Sequence, residues 1–200
     1  MDGIAWAASA MVAARRRLDI ATGNLANVST GGFARLVARG SLTAHGVRIR
    51  AEVGGGHGAL RSTGRAYDLA IVGDGSFRVR GADGRLVGSR NGAFERDTRG
   101  HLHDGAGRIL FGAHAALVVP DGAAFDRAGR VRLHGRTIDR LPLPPGSSLR
   151  SGFLETANVN AIGEMVNVLA AERSFESAEK VMSAIDGARQ KAANDVARLK

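Results

Sequence analysis

The stretch Leu154–Lys200 reads LETANVNAIGEMVNVLAAERSFESAEKVMSAIDGARQKAANDVARLK, and it decides the fold. Val168, Phe175, Met182 and Val196 share one position of a seven-residue repeat. Ala171, Ala178, Ile185, Ala192 and Leu199 share the position three residues later. Arg189 alone breaks this seam, and the segment holds no Pro and few Gly. An apolar period of about 3.5 residues, kept up over so many turns, predicts a long α-helix packed along another helix. Glu172, Glu179 and Asp186 recur at the same interval beside the seam, not in it.

The other end of the chain supplies a partner. Ile4, Met11, Leu18 and Leu25 repeat every seven residues, with Ala7, Ala14, Ala21 and Val28 three residues behind them. The run Arg15-Arg16-Arg17 falls outside this seam, and Arg15 and Arg17 flank it. A basic flank on one helix and an acidic flank on the other suit interhelical pairing. The plainer alternative is two helices lying separately on a globular core. The expectation is that the terminal helices pair with each other or with copies of the chain, through Ile4, Met11, Leu18, Leu25, Val168, Phe175, Met182 and Ile185.

Composition narrows the function. Two hundred residues allow one or two domains, and 44% hydrophobic residues suffice for a core although aromatics reach only 4%. With no cysteine, disulfides and thiolate metal sites are excluded. No apolar run approaches the roughly 18 residues that span a bilayer. The N-terminus does not read as a cleaved secretory signal, because its apolar residues are helically spaced and its arginines follow them. The net charge of +9 and a pI near 11.3 raise a basic nucleic-acid-binding or other non-catalytic binding module as the alternative function. The excess arginines, among them Arg78, Arg80, Arg85, Arg90, Arg96, Arg99 and Arg108, have no aromatic platform interleaved. Arg78 and Arg80 around Val79 read as the wet face of a strand, so nucleic acid is not expected as a partner.

Between the helices the pattern changes. The first helix is expected over about Asp2–Val28 and is stopped by Ser29-Thr30-Gly31-Gly32. Phe33–Leu42 is ambiguous, Val47–Val53 alternates as a strand does, and Gly54-Gly55-Gly56-His57-Gly58 is a link. From Tyr67 to about Ile138, short strands (Leu69–Val72, Phe77–Val79, Leu86–Ser89, Ile109–Phe111, Leu117–Val119) alternate with turn pairs. Those pairs are Asp74-Gly75, Asp83-Gly84, Asn91-Gly92, Asp104-Gly105 and Asp121-Gly122. Pro142, Pro144 and Pro145 form a stiff connector, and the last helix starts near Asn158. The fold class is α+β: long N- and C-terminal helices paired as a coiled-coil-like domain, with a small all-β module inserted. The expected segments are 1–35 helical, 36–60 extended and Gly-rich, 61–150 β-rich, and 151–200 helical and packed on the N-terminal helix.

Three blocks of sequence carry a family resemblance. Asn24-Leu25-Ala26-Asn27-Val28-Ser29-Thr30-Gly31-Gly32-Phe33 resembles the N-terminal signature of the bacterial flagellar rod and hook proteins. Leu154-Glu155-Thr156-Ala157-Asn158-Val159-Asn160, with Glu164-Met165-Val166-Asn167 and Glu172-Arg173-Ser174-Phe175-Glu176, resembles their C-terminal signature. Ser62-Thr63-Gly64, Asp68 to Phe77 and Ser89 to Phe94 are similar to the start of their β domain. Tyr67, Ser76, Ala34, Ala157 and Glu172 depart from the usual residues, and the chain is shorter than is typical, which implies a trimmed β module. Met1-Asp2, Val28-Ser29-Thr30 and Lys180-Val181-Met182-Ser183 resemble the proximal-rod branch more than the distal-rod or hook branches. The resemblance implies a structural subunit of the basal-body rod. Such a subunit leaves the cytoplasm through the flagellar type III export apparatus without a cleaved signal. It then polymerises across the periplasm with its own copies and neighbouring rod or hook subunits, and it needs no cofactor.

Chemistry finds little support. His101, His103 and Asp104, with His114 nearby, place two imidazoles on one strand face, a spacing a metal accepts; polar strand residues beside a turn explain them equally. Asp74 and Asp83 each precede Gly, which is turn chemistry. No nucleophile elbow and no phosphate cradle occur. No enzyme is expected. Asn24, Asn27, Asn158 and Asn160, all at or near helix ends, are expected to act in capping and packing.

Overall fold

A computed structural model describes residues 3–44 and 46–198, with the side chains of 195–198 outside the description. Leu199 and the side chain of Val196, both in the expected seam, therefore lie outside the described residues, as do Met1 and Asp2. The elements in chain order are α1 (Gly3–Ala26), β1 (Leu36–Thr43), β2 (Gly46–Val53), β3 (Leu60–Ser62), β4 (Leu69–Val72), β5 (Phe77–Arg80), β6 (Leu86–Ser89) and β7 (Phe94–Arg96). Then follow β8 (Leu102–Asp104), β9 (Ile109–Phe111), β10 (Ala124–Phe125), β11 (Arg130–Leu133), β12 (Arg136–Arg140), β13 (Ser148–Ser151), β14 (Phe153–Glu155) and α2 (Ala161–Arg198).

The chain forms two units. The first holds residues 1–28, 35–54 and 159–200; the second holds 29–34 and 55–158. In the first unit α1 and α2 pack against each other. They run antiparallel: a Cβ on Gly3 would stand 3.5 Å from the Ile185 side chain, while Asn24 at the other end of α1 bonds Glu164. The heptad reading gives the contact face. Ala7, Ala14 and Ala21 are buried on α1, Ala171 and Ala178 on α2. The larger seam residues Ile4, Met11, Leu18, Leu25, Val168, Phe175, Met182 and Ile185 are half-buried. Alanine at every second layer lets the helices approach closely, but each methyl contributes far less than a buried Leu.

Residues 36–60, expected as an extended linker, instead hold an antiparallel hairpin of β1 and β2, in register from Leu36↔Val53 to Thr43↔Gly46. The hairpin belongs to the helical unit and packs on α1. Val47, Ile49 and Ala51 are half-buried while Arg48, Arg50 and Glu52 face water, the alternation of a half-covered sheet.

The second unit is antiparallel throughout: a five-stranded sheet ordered β6-β5-β9-β8-β7, a meander β10-β11-β12, and the pairs β4–β13 and β3–β14. Its core includes Leu69, Phe77, Val79, Phe94, Leu102, Leu110, Val131 and Leu149. Phe77 and Phe94 meet edge-to-face, 5.4 Å between centroids, a favoured aromatic geometry. Leu117–Val119 is no strand; it makes only isolated bridges. Asn91-Gly92 is no hairpin turn either, because the Gly92 carbonyl accepts from Leu69 N–H at 2.9 Å.

Candidate functional site

The signature residues converge on two ion pairs, one in each unit, each built on a buried carboxylate. In the helical unit Asn24 is fully buried at the C-terminal end of α1. Its Nδ2 donates to the Leu36 carbonyl and its Oδ1 accepts from Leu36 N–H, both at 2.8 Å. One side chain thus closes a β-like bridge between the helix and the first residue of β1. Glu164, in the first turn of α2, is 2% exposed. It accepts from Arg35 Nε and, at 3.3 Å, from Asn167 Nδ2. Burial raises the Glu164 carboxyl, but the hydrogen bonds from Arg35, Asn167 and Asn24 outweigh it and hold it below the usual Glu range. Asn24, Arg35, Glu164 and Asn167 therefore tie together the end of α1, the start of β1 and the start of α2.

In the β unit Glu155 is 5% exposed. Arg90 donates to Glu155 Oε2 at 2.7 Å and to the carbonyls of Ile71, Gly73 and Gly75 at 2.6–3.0 Å. Glu155 Oε1 accepts from Gly58 N–H at 3.1 Å. Gly32 lies against this site: its N–H donates to the Glu155 carbonyl at 2.9 Å, its φ is +65°, and a Cβ there would stand 2.2 Å from the Arg90 carbonyl carbon. Only glycine fits both that conformation and that space.

The other signature residues are also structural. Asn27 Nδ2 donates to the Gly23 carbonyl at 2.9 Å, Asn158 Nδ2 to the Gly55 carbonyl at 3.1 Å, and Asn160 Oδ1 accepts from Gly163 N–H at 3.2 Å, an N-cap for α2. Phe33 and Val159 are half-buried, whereas Ala26, Met165, Arg173 and Glu176 are exposed.

The imidazoles near β8 do not converge. His101 Nδ1 lies 3.2 Å from Asp97 Oδ2, and His103 Nδ1 lies 3.3 Å from the Asp104 carbonyl. Among the described residues no group of three or more His, Asp or Glu stands close enough to hold a metal. These side chains belong to a repeated turn that the Asp-Gly reading passed over. In Asp97–His101, Asp104–Arg108 and Asp126–Arg130 the first residue's carboxylate accepts the N–H groups two and four residues on. It also pairs with the side chain of the fifth residue. The fourth residue is glycine at positive φ each time, so the legible signal was Asp-x-x-Gly-Arg/His. Burial raises all three carboxyls, and the donors from His101, Arg108 and Arg130 outweigh it and lower them. Arg90, Arg96, Arg108 and Arg130 each pair with a carboxylate, so their charge is locally compensated.

Within the single chain, and among the described residues, the charge pairing expected between the two helices is not formed. Arg15 instead bonds Asp19 in its own helix at 3.2 Å. Glu172, Glu179 and Asp186 are exposed and make no ion pair among the described residues. The outer face of α2 also exposes Ile162, Met165, Val166 and Leu169 at 52–75%, a spacing of three and four residues that puts all four on one side. Among the described residues no helix is long and apolar enough to cross a membrane.

Comparison with known proteins agrees with these positions. A family described as flagella basal body rod protein matches residues 4–33, and one described as flagellar basal body rod FlgEFG protein C-terminal matches residues 150–195. Among curated relatives, the flagellar basal-body rod protein FlgF of Escherichia coli is 29% identical, covering 89% of this chain and 92% of that protein. FlgF of Caulobacter vibrioides is 29% identical over 84% and 86% of the two chains. FlgG of Bacillus subtilis is 27% identical over 89% and 92%.

Proposed function

We infer that this chain, which belongs to the family of flagellar basal-body rod proteins, is a structural subunit of the rod that assembles axially through its helical unit. It works in the basal body beside other rod subunits and its own copies, reaches them through the flagellar export apparatus, and catalyses nothing. One observation supports assembly through the helices. The helical unit buries mostly alanine, yet α2 leaves Ile162, Met165, Val166 and Leu169 in water. An apolar face of this kind on a helix already packed on its other side calls for a further partner. The deeply held polar residues Asn24, Glu164, Arg90 and Glu155 are engaged by backbone or by each other, as fits a scaffold rather than a reacting site.

The test is location and consequence. Basal bodies purified from the source bacterium are expected to contain the chain within the rod, and its deletion is expected to stop assembly beyond the rod. Intact basal bodies that lack the chain, with motility unchanged on deletion, would refute the reading.

A further inference from the structure

The helical unit carries two outward surfaces of opposite charge. On α1, Ser9, Val12, Ala13 and Arg16 are set apart by helical spacing from the seam residues Ala7, Ala14 and Leu18. With Val47 and Ile49 of the hairpin they border a groove of about 420 Å³. Val12 is 69% exposed. Arg16 and Arg48 border the groove, and Arg50 lies beyond it on the outward face of β2 with Arg48 and Glu52. Arg50 stands directly opposite Arg39 in the hairpin register, a like-charge pair that costs stability unless an anion meets it. Glu52 reaches Arg39 at 3.4 Å; Arg16, Arg48 and Arg50 make no ion pair among the described residues.

On α2, Met165, Leu169, Glu172, Glu176 and Glu179 follow one another by steps of three and four residues, so they form a single outer stripe. All five are exposed, and none of the three glutamates makes an ion pair among the described residues. The stripe is apolar at its start and acidic beyond. From Leu169 to Glu176 it rises about 10.5 Å, the same rise of about 10.5 Å that separates Ser9 from Arg16 on the groove.

We propose that the groove between α1 and the hairpin of one copy receives the outer stripe of α2 of a second copy. Met165 and Leu169 lie on the apolar floor beside Val12, and the acidic run Glu172, Glu176 and Glu179 meets the basic rim that Arg16 and Arg48 supply. This deepens the rod reading above and rests on it. The two surfaces differ, so the contact is heterologous; repeated from copy to copy it extends an open polymer unless the rotation happens to close a ring. Copies of a chain with net charge +9 repel one another in general. The acidic stripe is the local exception that sets which faces meet.

The experiment uses the full chain in three forms: unaltered, stripe-reversed (Glu172→Lys, Glu176→Lys, Glu179→Lys) and rim-reversed (Arg16→Glu, Arg48→Glu). Sedimentation velocity over a concentration series reads association, and circular dichroism checks that each form keeps its helix content. Each reversed form alone is expected to associate about tenfold more weakly, and a one-to-one mixture to recover association, because both mixed contacts then join opposite charges. A second readout exploits the absence of cysteine: a Val12→Cys chain mixed with a Leu169→Cys chain is expected to form the mixed disulfide on oxidation. Reversed forms that associate like the unaltered chain, a mixture no better than its components, or an unaltered chain that stays monomeric would each overturn this contact. Presence of the chain in purified basal bodies would still uphold the rod reading, so the two failures are separable.

Discussion

Replacing Asn24 gives the sharpest test of how the helical unit is held. In Asn24→Ala the Leu36 N–H and carbonyl each lose a partner 2.8 Å away in a site where Asn24 itself has no exposure. Each stranded group costs about 1–3 kcal/mol, at the lower end here because Leu36 is only half-buried. Against this, alanine gains about 0.5 kcal/mol of helix propensity. The net expectation is a loss of about 2–4 kcal/mol from the helical unit. Asn24→Asp keeps the acceptor for Leu36 N–H but loses the donor and adds a carboxyl beside Glu164. The introduced carboxyl is then most favourable when protonated, so its folded pKa lies above the unfolded value. Its stability is present at low pH and is lost as pH rises through that folded value. Wild type carries the opposite sign, since Glu164 is lowered. Urea unfolding of the full chain, followed in the helical band of the circular dichroism spectrum at several pH values, measures both. A cost below about 0.5 kcal/mol for Asn24→Ala, or an Asn24→Asp variant without the inverted pH trend, would refute the reasoning.

Three further outcomes follow from the same geometry. Asp97, Asp104 and Asp126 are lowered in the fold, so their contribution to the β unit is complete above about pH 4 and is lost as pH falls through their folded values. The thermal midpoint should drop on acidification, and less steeply in Asp104→Asn; a flat profile would contradict this. A fragment of residues 55–158 should unfold cooperatively, whereas one of residues 61–150 lacks β14 and leaves Arg90 without Glu155, a cost of about 3–5 kcal/mol for breaking a buried pair; equal melting of the two fragments would count against that pair. Leu18→Asp puts a charge into the packed seam and should lower the helix content of the monomer itself, not association alone; unchanged helicity would argue that the seam is not a packed interface.

The helix pair was legible because a heptad survives any sequence context: from Ile4 to Leu25 and from Val168 to Ile185 the seam residues are buried or half-buried, although Val28 and Ala192 are exposed and Ala13 and Ile20, outside the seam, are buried too. The hairpin was half legible. Val47–Val53 alternates cleanly, but β1 carries Arg39, Gly40 and Ser41 in succession and shows its face only once β2 lies beside it. The β turns were found by Asp-Gly pairs at Gly75, Gly84 and Gly122, which do take positive φ. At Asp104 the same rule chose Gly105, although Gly107 is the residue that turns, because the carboxylate organises the four residues after it. The pairs Arg35–Glu164 and Arg90–Glu155 join residues 129 and 65 positions apart. No periodicity carries such separations, and only the signature blocks marked their members.

The flanking charges do not pair within one copy, and the reason is geometric. A basic flank and an acidic flank beside two matching seams look like one interface, since in a coiled coil flanking charges meet across the seam they border. Here the seam closes within the chain while the flanking charges do not follow it. Arg15 turns to Asp19, and Glu172 and Glu179 remain in water. Seam and flank therefore serve different contacts. The apolar layers fix the fold of one copy, and the unpaired charges are free to select the face another copy meets. Exposed pairs worth about 0.2–1 kcal/mol each suit the second task better than the first. They are too weak to hold a helix pair together, yet summed over a repeated contact they discriminate one register from another. For that reason the charge reversals should leave each monomer folded and change only how copies associate, whereas Leu18→Asp should act on the monomer first.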